Sequence, residues 1–182
     1  MSRISRQVRN AALTRLSDVS TGFNPRLTLA LADAGLALPY GFVLPIDFSP
    51  ASLNFFQADI VPADIDTTSA STYPAMVLFS NRSRDAKLEK FNLFAGPVFI
   101  SIKFFVSWIN SRLLPDFETF GDCVEEAMYG TFNDPALRDW GNALGVVWNG
   151  DISFERSRLT QDAKNWLQSY HIPLTFELHV AT

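Results

Sequence analysis

The segment WLQSYHIPLTFELHV, residues 166–180, decides the fold class of this chain. Its even-numbered positions, from Trp166 to Val180, are nearly all apolar, while most of its odd-numbered positions are polar. Because successive side chains of a β-strand point to opposite faces, this alternation predicts one long strand with one buried face. Pro173 removes one backbone donor, so we expect this strand to lie at a sheet edge or to be bulged at that residue.

Upstream segments repeat the same period of two. The stretch PVFISIKFFVSW, residues 97–108, predicts a strand of ten or more residues with Val98, Ile100 and Phe104 on the core face. The apolar run PAMVLFS, residues 74–80, predicts a buried strand, and the charged connection after it is typical of a long hairpin. Asn149-Gly150, between VVW and DISFERS, predicts a hairpin turn.

Helical periodicity occurs in three places. Apolar residues at helical spacing predict an amphipathic helix over 3–17, and Asn24-Pro25 followed by Gly35 predicts a second helix over 25–34. A third helix is predicted over 116–130, ending at Gly130, and a short one from Pro135 to Trp140.

Together these elements predict an α+β fold: a single domain, 1–182, with a mainly antiparallel β-sheet, long hairpins and helices packed on one face. Residues 1–35 form the N-terminal helices, and 73–182 form the sheet with the helices of 116–140. Between them, the proline-interrupted segment 36–72 predicts short strands near 42–47 and 53–60 and an exposed loop over 64–72.

Composition excludes several classes of protein. Of the 182 residues 47% are apolar and 19% charged, which excludes global disorder. Cys123 is the single cysteine, so an intramolecular disulfide and a cysteine-based zinc site are excluded. The basic N-terminus lacks the apolar run of a signal peptide, and no stretch reaches about 18 apolar residues. We therefore expect a protein without a membrane partner, in a reducing cytoplasm.

Candidate catalytic and metal-binding residues do not converge. His171 and His179 lie on one predicted strand, roughly 26 Å apart, which is too far to share a metal ion. Asp64 and Asp66 lie in a polar loop and match a nucleotide-sugar metal motif by chance, and Cys123 fits a packed helix position. Four carboxylates on the third helix are interpreted as its solvated face: Glu118, Asp122, Glu125 and Glu126. The sequence predicts no catalytic, metal or cofactor site, and therefore no enzyme.

Charge is distributed unevenly. Residues 1–30 carry five arginines against one aspartate, a net charge of +4, so the remainder carries −8. Such opposed surfaces can bind copies of the same chain, although a solvated basic helix face is the simpler interpretation. Low aromatic content in the first helix argues against specific nucleic-acid binding. The residues predicted to contact a neighbouring subunit or partner are Arg3, Arg6, Arg9, Arg82, Arg84 and Lys87.

In the order of its segments the chain resembles the tail terminator proteins of long-tailed bacteriophages. The matching parts are VRNAALTRL, YPAMVLFS, PVFISIKFFV, LPDFETFGDCVEEAMYGTF, DPALRDW and the closing strands ISFERSR and WLQSYHIPLTFELHV. The resemblance covers most of 5–20 and 73–180, and 22–72 departs from it with an extra helix and extra strands, so that 36–72 is interpreted as a divergent insertion.

The resemblance implies a structural virion protein at the tail or neck, assembled in the host cytoplasm. Its partners would be copies of itself in a hexameric ring, the tail-tube protein and a head-closure or connector protein, with DNA only passing through the lumen. No cofactor is implied. The alternatives are another neck or tail component, namely a head-closure, tail-tube or minor tail protein, and a small-ligand-binding α+β domain.

Overall fold

The computed structural model describes residues 3–37, 44–59, 73–83, 87–89, 93–108, 114–137, 139–141, 146–162 and 165–181. Three α-helices are found among them: α1 (Arg3–Leu16), α2 (Phe23–Asp33) and α3 (Leu114–Asn133), and a 3-10 helix spans Pro135–Leu137. The strands are β1 (Phe55–Phe56), β2 (Ala75–Ser83), β3 (Lys87–Glu89), β4 (Leu93–Trp108), β5 (Val146–Ile152), β6 (Glu155–Arg156), β7 (Thr160–Asp162) and β8 (Asn165–Ala181).

The described strands form one sheet in the order β1-β2-β4-β8-β5, with β3 beside β4 and with β6 and β7 beside β8. Every pairing is antiparallel except that of β1 with β2. The two longest strands pair without interruption from Leu93↔Ala181 to Trp108↔Trp166. This confirms the predicted α+β class, the mainly antiparallel sheet and the long hairpin formed by β2 and β4.

The core lies between one sheet face and the three helices. The even positions of β4 from Val98 to Val106 are buried, as are those of β8 from Gln168 to Phe176, so both predicted core faces are confirmed. Facing them, α3 buries its predicted apolar stripe: Phe117, Phe120, Val124, Ala127 and Met128. Cys123 is also buried in this core, in agreement with its predicted packing role.

Two helix ends differ from the prediction. The helix α2 begins at Phe23 after Gly22, because the Asn24 side chain binds the backbone of Ile46 instead of capping its own helix. The helix α3 continues through Gly130 to Asn133. Gly35, with φ of 63°, ends α2 as predicted.

The predicted hairpin at Asn149-Gly150 is wrong. Trp148 pairs with Phe176 and Ile152 pairs with Leu174, so both sides of the dipeptide belong to β5 and face the same strand. Gly150, with φ of 87°, allows a bulge that places the extra residues outside the ladder. A positive φ serves a bulge as well as a turn, so the dipeptide alone did not distinguish them.

The predicted edge position of Pro173 is also wrong, because β8 lies between β4 and β5. On the side of β5 and β6, Leu174 of β8 pairs with Ile152, and His171 of β8 pairs with Glu155. Pro173 therefore lies where β5 gives way to β6, and this interruption accommodates a residue without a backbone donor.

The remaining differences lie in short elements. Residues 44–47 are not a strand, and 42 and 43 lie outside the described residues, as does the predicted loop over 64–72. In the predicted strand over 53–60, the described residues 53–59 form a strand only at Phe55–Phe56, and residue 60 lies outside the described residues. The predicted helix from Pro135 is a single 3-10 turn, which the carboxylate of Asp134 caps by accepting from the Ala136 N–H at 2.8 Å.

Candidate assembly surface

The predicted contact cations can be placed in part. On α1, Arg6 is exposed and Arg9 is half-buried, with its Nε atom buried and without a partner among the described residues. Arg82 lies in β2 and Lys87 in β3, so both belong to the hairpin. The side chains of Arg3, Arg82 and Lys87, and all of Arg84, lie outside the described residues.

Two further arginines of the basic N-terminal segment, Arg15 and Arg26, bind groups within the protein. The Nε atom of Arg15 donates to the Thr131 carbonyl at 2.5 Å, and its other nitrogens donate to the hydroxyl and carbonyl of Thr21 at 2.7 and 2.9 Å. Arg26 donates to the same Thr21 carbonyl at 2.8 Å and forms an ion pair with Asp134. The surface of this segment is therefore less basic than its count of arginines indicates.

Two aspartates beside these arginines are held in the ionised form. The Oδ1 atom of Asp18 accepts from the Thr21 N–H at 2.7 Å, and this bond contributes most to holding its pKa below the usual value. The pKa of Asp134 is lowered first by the Ala136 N–H and then by Arg26. Because both pKa values are lower in the folded chain, their contribution to stability is present above the unfolded-state pKa and is lost in acid.

We therefore expect the free energy of unfolding to fall as the pH drops below about 4, where unfolded aspartates take up protons. The Asp18→Asn variant keeps an oxygen acceptor at this position but does not titrate, so its stability should depend less on acid pH. Urea unfolding of both proteins between pH 7 and 3 measures this difference. Parallel curves for the two proteins would contradict it.

Three of the four carboxylates predicted to form the solvated face of α3 also surround one cation, while Glu118 and Asp122 keep the exposure predicted for that face. Arg156 of β6 binds Glu125 at 2.5 Å, Asp122 at 2.5 Å and Glu118 at 3.1 Å. Its side chain is only 23% exposed, and Glu126 remains exposed beside the cluster. Within the described ranges, no group of three or more His, Cys, Asp or Glu is arranged to hold a metal ion. The cluster joins α3 to the sheet.

A tyrosine lies beneath this cluster. The Arg156 guanidinium lies 5.7 Å from the centre of the Tyr170 ring, and the buried hydroxyl donates to Gln168 at 2.8 Å. Burial raises the pKa of Tyr170, so the hydroxyl stays a neutral donor. A Cβ atom at Gly121 would lie 2.7 Å from this hydroxyl, so glycine permits the close approach of α3 and β8.

Replacing Arg156 with alanine should lower the free energy of unfolding by about 1–2 kcal/mol, because its charged hydrogen bonds are lost and solvent already screens part of their energy. Three carboxylates on one helix face would then repel one another. Denaturant unfolding checks the value, and about 0.5 M salt should narrow the difference from the unmodified chain. Arg158→Ala is the matched control, because Arg158 is exposed two residues away. Equal losses in the two variants would contradict a special role for Arg156.

The sheet face opposite the helices is not covered by any helix of the described part of the chain. Phe105 lies on it and is buried in a small cluster with Ala75 and Val77. Partly buried aromatic side chains complete this cluster: Phe56, Tyr73 and Phe79. We call this surface the open face because no described helix covers it, although Ala75, Val77 and Phe105 in its cluster are themselves buried.

A row of polar contacts crosses the open face. Lys103 binds Asp59 at 2.6 Å and lies opposite His171 in the pairing of β4 with β8. His171 contacts the Ser101 hydroxyl at 2.9 Å and Glu155 at 3.2 Å. His171 therefore has partners on both neighbouring strands, β4 and β6.

Sequence reasoning missed Arg156, Arg15 and Lys103 as organising residues. A signal for Arg156 was present, since α3 carries acidic residues at helical spacing and contains no lysine or arginine. Such a helix favours a nearby cation from another element, but the sequence does not identify that cation. The signal for Arg15 was weaker, because Arg15 belongs to a segment with four other arginines.

Comparison with known proteins gives no relative: no protein-family model matches the chain, and no curated protein matches it significantly. Among the helices of the described residues, none is both long enough and apolar enough to span a membrane.

Proposed function

We propose that this chain is a structural subunit of a bacteriophage tail, which forms a ring at the head-proximal end, ends tail-tube polymerisation and joins the tail to the head. The observation that carries the proposal is the order of its elements outside 22–72. The helix α1 is followed by the β2–β4 hairpin, then by α3, the 3-10 helix and the closing strands that end in β8. The tail terminator proteins that the sequence resembles have this order.

The sheet edges support a role in assembly. On one side, within the part of the chain that the structure describes, β1 pairs with two residues of β2, Met76 and Val77. On the other side no described strand pairs with the outer edge of β5. Unpaired strand edges bind other strands readily, and the two edges here are different surfaces. Pairing between them would be head-to-tail, which is the type of contact that a closed ring needs.

The open face supports the same role. The partly buried rings of Phe56, Tyr73 and Phe79 lie on the same face as the ion pair of Lys103 with Asp59, so a neighbour would meet aromatic side chains together with a charged pair. Protein interfaces commonly combine an apolar centre with polar groups at the rim. A ring subunit uses such surfaces toward the tail tube and the head.

Light scattering and negative-stain imaging of the purified chain, alone and with purified tail tubes, test the proposal. We expect rings of several 20.3-kDa subunits, found at the head-proximal end of the tubes, and arrested growth in a tube-polymerisation assay. Labelled subunits distributed along the tube would instead favour a tail-tube protein. A monomer that never joins tubes would overturn the proposal.

A further inference from the structure

A groove of about 600 Å³ lies between α2 and α3. Two large apolar side chains stand at its sides with unusual exposure, Leu29 at 64% and Tyr129 at 55%. Ala30, Ala127 and Phe154 also line it. Covering Leu29 and Tyr129 would remove apolar surface from water, which favours binding of a partner here.

The groove is acidic. Four carboxylates line it: Asp33, Asp122, Glu125 and Glu126. Arg26 also lines it, but its charge is already paired with Asp134. Arg156 pairs with Asp122 and Glu125, and no ion pair within the described residues involves Asp33 or Glu126, which are both exposed. The groove thus retains negative charge that a basic partner can neutralise.

The outward side of α1 has the complementary character. Arg3–Leu16 contains no acidic residue. Its inner side buries Val8 and Leu16, whereas Arg6, Asn10 and Thr14 are exposed at a spacing of four residues. This spacing places the three on one helix face. We call this exposed side of α1 the strip: its described side chains carry one positive charge, that of Arg6, and no negative charge.

We propose that the groove between α2 and α3 binds the exposed side of α1 from a neighbouring copy of this chain. The inference rests on the proposed function, for which it supplies a second contact between successive ring subunits, beside the pairing of sheet edges. The two surfaces carry opposite charges, since Arg6 is exposed on the strip and Asp33 and Glu126 are exposed in the groove. Because groove and strip are different surfaces, their contact is head-to-tail, which is the type of contact from which a closed ring is built.

Reversing the charge of the strip or of the groove tests this contact. One variant makes the strip acidic, Arg6→Glu with Asn10→Glu, and a second makes the groove basic, Asp33→Lys with Glu126→Lys. Arg9 is left unchanged, because its Nε atom is buried. At a concentration where the unmodified chain is fully assembled, each variant alone should be monomeric in light scattering, because like charges then meet at every contact.

A 1:1 mixture of the two variants should recover assembly, since alternation pairs an acidic strip with a basic groove and a basic strip with an acidic groove. The matched control is Asp139→Lys with Asp151→Lys, which reverses two exposed acids outside the groove and should leave rings intact. Circular dichroism and urea unfolding verify that each variant is folded.

The outcomes separate this inference from the proposed function. If the unmodified chain is monomeric and ignores tail tubes, both are overturned. If it forms rings and the variants form them equally well, or if the mixture stays monomeric, only the groove contact is overturned. If groove variants form rings but lose binding to tail tubes, the occupant is a tail protein, and the contact between copies is again overturned.

Discussion

Replacing Phe104 with alanine is expected to lower the free energy of unfolding by about 3–5 kcal/mol, the cost typical of a large aromatic residue removed from a well-packed core. Phe104 is fully buried in β4. Its ring centre lies 5.7 Å from that of Phe23 in α2, 6.3 Å from that of Phe120 in α3 and 6.3 Å from that of Tyr170 in β8. The cavity would therefore open where two helices and the two longest strands meet.

Urea or guanidinium unfolding followed by tryptophan fluorescence and circular dichroism measures this loss. Phe99→Ala is the matched control, since Phe99 lies on the same strand but on the open face, where it is half-buried. Its replacement should cost about 1 kcal/mol, because less apolar surface leaves contact with the protein. A loss below about 1 kcal/mol for Phe104→Ala would contradict its central position in the core.

The strong period of two explains why the main sheet could be predicted from sequence. Burial of one face requires alternation along β4 and β8, and a shift of one residue would bring Lys103 and His171 into the core. The pattern therefore predicts both the length of these strands and their inward faces. The same reasoning applies to α3, whose apolar stripe from Phe117 to Met128 is set by helical periodicity.

Local signals failed where a neighbouring element decides the outcome. Asn149-Gly150 satisfies the requirements of a hairpin turn, and only its position along β8 makes it a bulge. Pro173 has no backbone N–H to donate. A central strand tolerates it here because it lies opposite the junction of β5 and β6. Gly130 permits a helix end, but α3 continues past it to Asn133.

For the candidate assembly surface, only the sign of its charge could be predicted from the sequence. The sequence indicates a basic start and an acidic remainder, and Arg6 is exposed on α1 as this interpretation requires. The sequence does not show that Arg15 and Arg26 bind buried or half-buried partners, since Thr131 and Asp134 lie more than 100 residues further along the chain. Contacts of that separation depend on tertiary packing, which no local pattern records.

Replacing Arg15 with methionine tests the most deeply buried of these contacts and should lower the free energy of unfolding by about 2–3 kcal/mol. The Thr131 carbonyl lies in the last turn of α3, where helix carbonyls lack partners in their own helix, and the guanidinium of Arg15 provides a donor. Methionine fills similar apolar volume but leaves this buried carbonyl without that donor.

The cost of burying the Arg15 cation opposes these hydrogen bonds and limits the loss of stability. Burial, and then the nearby charge of Arg26, lowers the pKa of Arg15, so removing the cation also removes a desolvation cost and a repulsion. The hydrogen bonds should nevertheless decide the sign, because Arg15 makes three of them, to Thr131 and Thr21. Arg6→Met, on the exposed side of the same helix, should change stability by less than about 0.5 kcal/mol. Equal stability of the two variants in urea unfolding would show that the cost of burying Arg15 cancels its bonds.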